Sequence, residues 1–246
     1  METLLASIDQ LKTELDAKRH LEGERVVRAF EIEYTYESNR IEGNTLTLQE
    51  TALVIEKGLT IGGKSLNEHL EAINHTHALE HVKDIATNKV EFTESVLFDI
   101  HKLILQGIDN AHAGKYRTVQ VLISGARHVP PQPYLIQKQM EDFFIWYKEN
   151  KDSLHPIILS AELHERLVSI HPFIDGNGRT SRLLMNLILL QHGYPIAILK
   201  GDTESRLEYY HALDAAQVDG DRNTFHTLVA NTVKDSLERV LAVLGK

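Results

Sequence analysis

Apolar residues recur at three- and four-residue spacing along most of the chain, which is the pattern of amphipathic α-helices. The first such stretch covers residues 2–19, where Leu4, Ile8, Leu11 and Leu15 fall on one face. Further helices are predicted over 24–41, 66–87, 93–106, 134–150, 156–170, 178–192, 203–217 and 222–244. The sequence therefore predicts an all-α fold, a helical bundle.

Turn and capping residues support these boundaries. The helix over 24–41 meets Gly43-Asn44, a pair that commonly terminates helices. Thr47 and Glu50 stand three positions apart, which is the spacing of a capping box at the start of the next helix.

One region departs from helical periodicity. Residues 116–123 alternate and are rich in β-branched side chains, and residues 126–129 follow after Ser124-Gly125. This pattern predicts a short β-hairpin with a glycine-containing turn. Because two strands alone are marginally stable, we expect the hairpin to lie as a flap against the helical body.

Composition limits the class of protein. The 246 residues are 42% apolar and 25% charged, enough for one large domain or two small ones. The sequence contains no cysteine, which excludes disulfides and thiolate metal sites and fits a reducing cytoplasm, the location we expect. The net charge of −9 argues against nucleic acid as a partner. The start resembles no secretory signal and the longest apolar run is too short to span a bilayer, so no membrane partner is expected.

The chemistry is concentrated in the twelve residues His171-Pro-Phe-Ile-Asp-Gly-Asn-Gly-Arg-Thr-Ser-Arg182. Pro172 disfavours helix at His171, and Gly176 and Gly178 permit a tight loop before the next helix. The first turn of a helix presents unpaired N–H groups and a partial positive charge, which suit a phosphate. The segment therefore predicts an anion site at a helix start.

Four side chains of this segment suit phosphate chemistry. Arg179 and Arg182 lie three positions apart at the start of the helix, so both guanidinium groups project from neighbouring positions. Asp175 offers a hard oxygen ligand for Mg²⁺. His171 titrates near neutral pH and can act as a base. Each feature alone is common in helix ends and turns, but their coincidence in one segment indicates a phosphate-handling site.

The same twelve residues match, at every specified position, the signature H-x-F-x-[D/E]-G-N-G-R-x-x-R, and the chain thereby resembles the Fic-domain proteins. The resemblance implies a Fic-type helical bundle with a hairpin flap. It divides the chain into an N-terminal helical region, 1–89, and a Fic domain, 90–246.

The resemblance also implies an activity: protein adenylylation, the transfer of AMP from ATP to a Ser, Thr or Tyr hydroxyl of a protein. His171 would take the hydroxyl proton, and Asp175 would hold Mg²⁺ or Mn²⁺ on the phosphates. Four further residues would bind the phosphates: Asn177 and the N–H groups around Gly176 and Gly178 at the α-phosphate, and Arg179 along the chain.

Arg182, by the same resemblance, would meet the γ-phosphate. Arg206, Tyr209, Tyr210 and Gln217 lie in a segment that resembles the nucleoside-contacting helix of the family, and Tyr209 is expected to pack on adenine or ribose. Flaps of the family bind an extended target segment as an added strand. The flap residues expected to line that edge are Val121, Ile123, His128 and Val129.

A second match lies near the end of the second helix. Ser38, Glu42 and Gly43 fit the inhibitory motif [S/T]-x-x-x-E-[G/N] of many Fic proteins. A glutamate at that helix end opposes the helix dipole, which suggests a partner elsewhere. The resemblance implies that Glu42 forms a bidentate pair with Arg182 and so denies the arginine to ATP.

Several alternatives stay open at the level of sequence. The same fold serves other nucleotide donors, phosphorylation or removal of AMP, and a low-turnover docking regulator is a further reading. The target is an unidentified protein or another copy of this chain. A homodimer through the surface helix over 2–19 is also compatible with the pattern.

Overall fold

A computed structural model describes residues 1–245, and these form ten α-helices with extended connections. The helices are α1 (Glu2–Lys18), α2 (Glu24–Ile41), α3 (Leu48–Lys57), α4 (Leu66–Thr87), α5 (Glu94–Leu105), α6 (Ile136–Asn150), α7 (Pro156–Ile170), α8 (Asn177–Gln191), α9 (Thr203–Gln217) and α10 (Arg222–Leu244). The predicted all-α class is confirmed, and the predicted helix bounds differ from the observed ones by at most two residues.

The capping box at Thr47 is confirmed. The Thr47 hydroxyl accepts a hydrogen bond from the backbone N–H of Glu50 at 3.2 Å, and the Glu50 carboxylate accepts one from the backbone N–H of Thr47 at 2.8 Å. Ser65 and Glu68 form the same arrangement at the start of α4. These caps satisfy N–H groups that have no partner within the helix, and they fix where α3 and α4 begin.

Helix α8 runs through the centre of the molecule. Its segment Leu183–Leu189 is buried on every side, between α7 on one flank and α4 and α5 on another. Among residues 1–245, no helix is both long and apolar enough to cross a membrane. Burial of α8 therefore places its first turn, where the anion site is predicted, on a rigid support.

Two apolar cores surround α8. One lies between α4, α5, α6 and α7, and the other between α1, α7, α9 and α10. Both take residues from before position 89, such as Tyr34 and Leu79 in the first core and Ile8 in the second. Packing of the cores is therefore continuous across residue 89, the boundary predicted between the N-terminal helical region and the rest of the chain.

The predicted β-hairpin is wrong. Residues 1–245 contain no β-strand, and the flap segment 117–132 is extended chain with turns. Its two limbs are joined by side chains: Arg117 donates to the carbonyls of Val119 and Pro131, and Gln120 donates to the carbonyl of Pro130. Pro130 and Pro131 have no N–H to give to a ladder, and the N–H of Arg127 on the return limb donates to Asp214 Oδ1 at 3.3 Å instead.

Candidate active site

The loop between α7 and α8 holds the predicted site. Helix α7 ends at His171, which adopts left-handed backbone angles (φ 50°, ψ 57°), and the N–H of His171 donates to the carbonyl of Leu167 at 2.9 Å. A non-glycine residue pays a conformational penalty in this region, so the fold must hold His171 there. Gly176, with φ 77°, turns the chain into the first residue of α8.

The imidazole of His171 is set up to be neutral. Its Nδ1 lies 3.3 Å from the carbonyl of Val168, which accepts a hydrogen bond only if Nδ1 carries the proton. Burial lowers the pKa of His171 to about 4, although the hydrogen bond to Val168 opposes the shift. Nε2 is therefore left as the proton acceptor at neutral pH, as a general base requires.

Asn177 closes the loop upon itself. Its Oδ1 accepts from the N–H of Phe173 at 2.9 Å, and its Nδ2 donates to the carbonyl of Phe173 at 2.9 Å. Both polar atoms of the side chain are therefore engaged with the loop, while Nδ2 keeps a second N–H. The contact of Asn177 with the α-phosphate stays a prediction, beside that of the backbone N–H groups of the first turn of α8.

His101 on α5 contacts the loop between α7 and α8. Its Nδ1 accepts from the N–H of Gly114 at 2.9 Å, so Nε2 carries the proton and donates to the carbonyl of Asp175 at 2.9 Å. The ring stacks on Phe173 with 3.6 Å between centroids and 9° between planes. A Cβ at Gly176 would lie 3.3 Å from this ring, which explains why glycine is needed there.

Arg182 is enclosed by the inhibitory motif predicted on α2. Its Nε donates to the Ser38 hydroxyl at 3.0 Å, and its Nη2 donates to the Ser38 carbonyl at 2.9 Å and to Glu42 Oε1 at 2.7 Å. The predicted pairing of Glu42 with Arg182 is present, but its bidentate form is not, because Glu42 contacts Nη2 alone. Only 1% of the Arg182 side chain is exposed.

Glu42 occupies the start of α8. A Cβ built on Gly178 would lie 2.3 Å from Glu42 Oε1 and 3.1 Å from Arg182 Nη1. Arg182 Nη1 is buried with no hydrogen-bond partner among the described residues. The absence of a side chain at Gly178 thus opens a cradle at the helix N-terminus, and a carboxylate fills it. Gly43 follows with φ 97°, which ends α2 next to the cradle.

Arg179 is held by two carboxylates. Its Nη1 lies 3.2 Å from Glu71 Oε1 on α4, and its Nη2 lies 3.2 Å from Asp175 Oδ2. The other oxygen of Glu71 accepts from Asn44 Nδ2 at 2.8 Å. Glu71 therefore links Arg179 to the segment that follows α2.

Asp175 is the exposed acid of the loop. Its side chain is 59% exposed, and Oδ1 accepts from the N–H of Gly176 at 2.6 Å. Among residues 1–245, no group of three or more metal-binding side chains gathers at one point. The donor set fits a magnesium ion that takes one ligand from Asp175 and the rest from phosphate oxygens and water.

The nucleoside contact of Tyr209 stays a prediction, and in this structure its side chain is enclosed. Its side chain lies in the second core with 2% exposed, and its hydroxyl pairs with His164 Nε2 at 3.1 Å. No free ring face is available to adenine. Tyr210, its neighbour, is 42% exposed, and its hydroxyl donates to the carbonyl of Ile41 at the end of α2. Adjacent helical positions point in different directions, and here the second one faces the site.

The four predicted flap residues differ in how much of each side chain is exposed. Val121 and Ile123 are half-buried and Val129 is 63% exposed, so all three stay candidates for target contact. His128 donates from Nε2 to the carbonyl of Ser169 at 2.8 Å. Behind it lies a cavity of about 340 Å³, bordered by His128, Ile170 and Gln217 among others.

Three residues of the site were missed by sequence reasoning. Glu71, His101 and Arg117 all contact the loop or its arginines, and they come from positions far from the 171–182 segment. No local pattern marks them, because each acts through a tertiary contact. For His101, the chain contains many histidines and only the fold separates this one from the rest.

Both the sequence and the structure of the chain resemble those of known proteins. The model of the Fic/DOC family matches residues 91–189. The structure of Fic-1 (aa134–508) from C. elegans superposes with a TM-score of 0.87 at 33% identity, covering 99% of this chain and 72% of that one. A Fic domain containing signaling protein from Bacteroides thetaiotaomicron gives a TM-score of 0.85 at 31% identity, covering 94% of each chain. The chain belongs to the Fic/DOC family.

Among curated proteins, "Protein adenylyltransferase Fic" from Drosophila grimshawi is 36% identical over 243 residues, which is 98% of this chain and 49% of that protein. The counterpart from Drosophila willistoni gives 36% over the same length. The chain thus spans about half the length of the curated relatives it matches.

Proposed function

We propose that this chain transfers AMP from ATP to a hydroxyl group of a protein, and that Glu42 restrains the transfer. The observation that carries the proposal is the cradle at Gly178. It combines the N-terminus of α8, a buried arginine with an unpaired N–H, and a carboxylate already seated between them. A site that binds one anion so closely is suited to bind another, and phosphate oxygens fit the same donors.

The residues around the cradle supply the chemistry of the transfer. Nε2 of His171 takes the proton of the incoming hydroxyl while its oxygen attacks the α-phosphorus. The bond between the α-phosphorus and the bridging oxygen to the β-phosphate breaks, and pyrophosphate leaves with that oxygen. N–H groups of the first turn of α8 and the guanidinium of Arg179 stabilise the negative charge that develops on the phosphates.

Magnesium enters this scheme through Asp175. The exposed carboxylate would hold the ion, and a bound Mg²⁺ supplies charge neutralisation to phosphate oxygens. The carboxylate also stays paired with Arg179 at 3.2 Å, which keeps it oriented at the loop.

Restraint follows from shared use of Arg182. While Glu42 holds Nη2 of Arg182, the terminal phosphate of a triphosphate has to compete with a carboxylate for the same guanidinium. A charge-assisted contact contributes about 1.5–3 kcal/mol. A difference of that size shifts the competent population by about ten- to a hundredfold.

The name of the Drosophila relatives supports adenylylation as the reaction and ATP as the donor. The acceptor is a protein with an exposed hydroxyl, and another copy of this chain is one such acceptor.

The experiment is the incubation of cell lysate with ATP labelled at the α-phosphate and Mg²⁺, using wild type, Glu42→Gly and His171→Ala. We expect labelled protein bands with Glu42→Gly, weaker bands with wild type and none with His171→Ala. ATP labelled at the γ-phosphate serves as the control, because it labels protein only if the chain phosphorylates. Labelling from the γ- but not the α-position would overturn the proposal.

A further inference from the structure

Arg117 is a buried cation without a carboxylate partner in the part of the chain that the structure describes. Only 2% of the residue is exposed, yet its guanidinium donates to three carbonyl oxygens and to no acid. Burial lowers the pKa of Arg117, because removing the guanidinium from water disfavours its charged form. Proteins rarely bury an unpaired charge, so the arrangement calls for a function.

The three carbonyls belong to two parts of the molecule. Nε donates to the carbonyl of His171 at 2.8 Å, which is the peptide that carries the candidate base. Nη1 donates to the carbonyl of Val119 at 2.9 Å and Nη2 to that of Pro131 at 2.7 Å, which are the two limbs of the flap. The backbone N–H of Arg117 adds a bond to the carbonyl of Pro172 at 2.9 Å.

These side-chain hydrogen bonds join the two limbs of the flap, as backbone hydrogen bonds would in a β-hairpin. The limbs share one backbone hydrogen bond, at the tip, from the N–H of Ala126 to the carbonyl of Ile123 at 3.3 Å. Away from the tip, their spacing depends on Arg117 and on the Gln120 side chain, which donates to Pro130 at 2.9 Å. The same guanidinium fixes the peptide of His171, whose left-handed backbone needs external support. One planar fork of donors therefore ties the base of the flap to the peptide of His171, while Arg127 and His128 hold the return limb to Asp219 and Ser169.

We propose that Arg117 is a positioning residue: it holds the two limbs of the flap at a fixed height above His171, so that a target hydroxyl presented by the flap meets Nε2. The inference rests on the proposed AMP transfer. The proposed role depends on the planar guanidinium of Arg117, since a lysine carries the same charge but cannot reach three acceptors in fixed directions.

Two consequences separate positioning from a merely structural role. Loss of the fork should speed solvent exchange of the bonded amides at and within the flap, those of Arg117, Ala126 and Arg127, while amides of α7 and α8 stay protected. It should also lower kcat and raise KM for the protein target, with the affinity for ATP retained, because the contacts of Arg117 lie on the flap and on His171 rather than on the phosphate cradle.

The test compares Arg117→Lys and Arg117→Gln in the Glu42→Gly background. Hydrogen exchange of the flap, ATP binding by calorimetry and AMP transfer to a labelled target are measured for each. The matched control is Arg239→Lys. Arg239 lies on α10, pairs with Glu33 and stacks on Phe30 of α2. We expect both Arg117 variants to lose about tenfold or more in kcat/KM for the target and to exchange faster in the flap.

Unchanged flap exchange and unchanged kcat/KM in Arg117→Lys would overturn the proposal. Global unfolding of both Arg117 variants would also overturn it, since the contacts would then serve the fold as a whole. If the Glu42→Gly background itself transfers no AMP, the proposed function fails, and flap exchange still decides the role of Arg117.

Discussion

The Oε1 atom of Glu42 lies 2.7 Å from Nη2 of Arg182, although 140 positions separate the two residues in the chain. Glu42 stands just after the last residue of α2 and Arg182 in the second turn of α8, so the pair joins the N-terminal helices to the centre of the bundle. The contact lies directly over Gly178, where a phosphate would approach the helix start.

Removal of Glu42 is expected to raise AMP transfer. Glu42→Gly vacates the cradle, and we expect the initial rate on a fixed target to rise about ten- to a hundredfold. The rate is measured with α-labelled ATP at equal protein concentrations. Glu14→Gln is the control, because it removes a glutamate that pairs only with Lys18 on α1. Equal rates for Glu42→Gly and wild type on the same target would exclude restraint by Glu42.

The pH dependence of transfer should follow His171. Its pKa is lowered to about 4, so the neutral imidazole is present above that value and is lost as the pH falls through it. We expect kcat/KM in the Glu42→Gly background to vary little from about pH 8 to about pH 5 because of this imidazole, and to fall below that range. An acid limb centred near the ordinary histidine pKa of about 6.5 would show that His171 is not held neutral by the fold.

Gly178→Ala tests the cradle through stability. A methyl group at Gly178 would lie 2.3 Å from Glu42 Oε1, so it must displace that carboxylate. We expect the substitution to lower the free energy of unfolding by about 1–3 kcal/mol in wild type and by less in Glu42→Gly, because the clash is then absent. Urea denaturation of the four proteins measures the difference. Additive effects would mean that Glu42 does not occupy the cradle in solution.

Asp175→Asn tests the metal ligand. The carboxylate is the exposed oxygen donor of the loop, and an amide binds Mg²⁺ more weakly because it carries no charge. In the Glu42→Gly background, the Mg²⁺ concentration for half-maximal transfer should rise about tenfold. Asp16→Asn on α1 is the control. An unchanged Mg²⁺ requirement would remove Asp175 from the metal site.

The folding stability should fall in mild acid because of buried histidines. Burial lowers the pKa of His101 to about 4 and that of His164 to about 3. The native state keeps both neutral below the ordinary pKa of about 6.5, whereas the unfolded chain takes up protons, so stability is lost as the pH falls from that value. His101→Asn should reduce the pH slope of the free energy of unfolding by up to about 1.4 kcal/mol per pH unit below pH 6. Equal slopes would show that His101 titrates alike in both states.

Local sequence signals were sufficient where the physics is local. Helix α3 begins at Thr47 because a side chain caps it, and α7 ends before Pro172 because proline excludes a helical residue ahead of it. The loop of residues 171–177 follows from its glycines and from the helix that comes next. These features depend on neighbours a few positions away, and the sequence contains them in full.

Features set by distant contacts were not predictable in the same way. The alternation at residues 116–123 suggested a strand, but Pro130 and Pro131 deny the return limb its donors and Arg117 takes the carbonyls instead. Tyr209 and Tyr210 are equivalent in sequence, and only the packing of α9 on α7 decides which one is buried. Glu71 reaches Arg179 from 108 positions away, which no local pattern encodes.

Ser38 contacts Arg182 through both its hydroxyl and its carbonyl, and neither bond depends on Glu42. Arg182, the proposed contact of the terminal phosphate, is thus anchored whether the glutamate is in place or not. Under the proposed restraint, release of the cradle therefore does not require α2 to detach, because rotation of the Glu42 side chain about its own bonds would break its contact with Arg182. The frame formed by Ser38 and Arg182 would then stay in place while only the carboxylate of Glu42 moves.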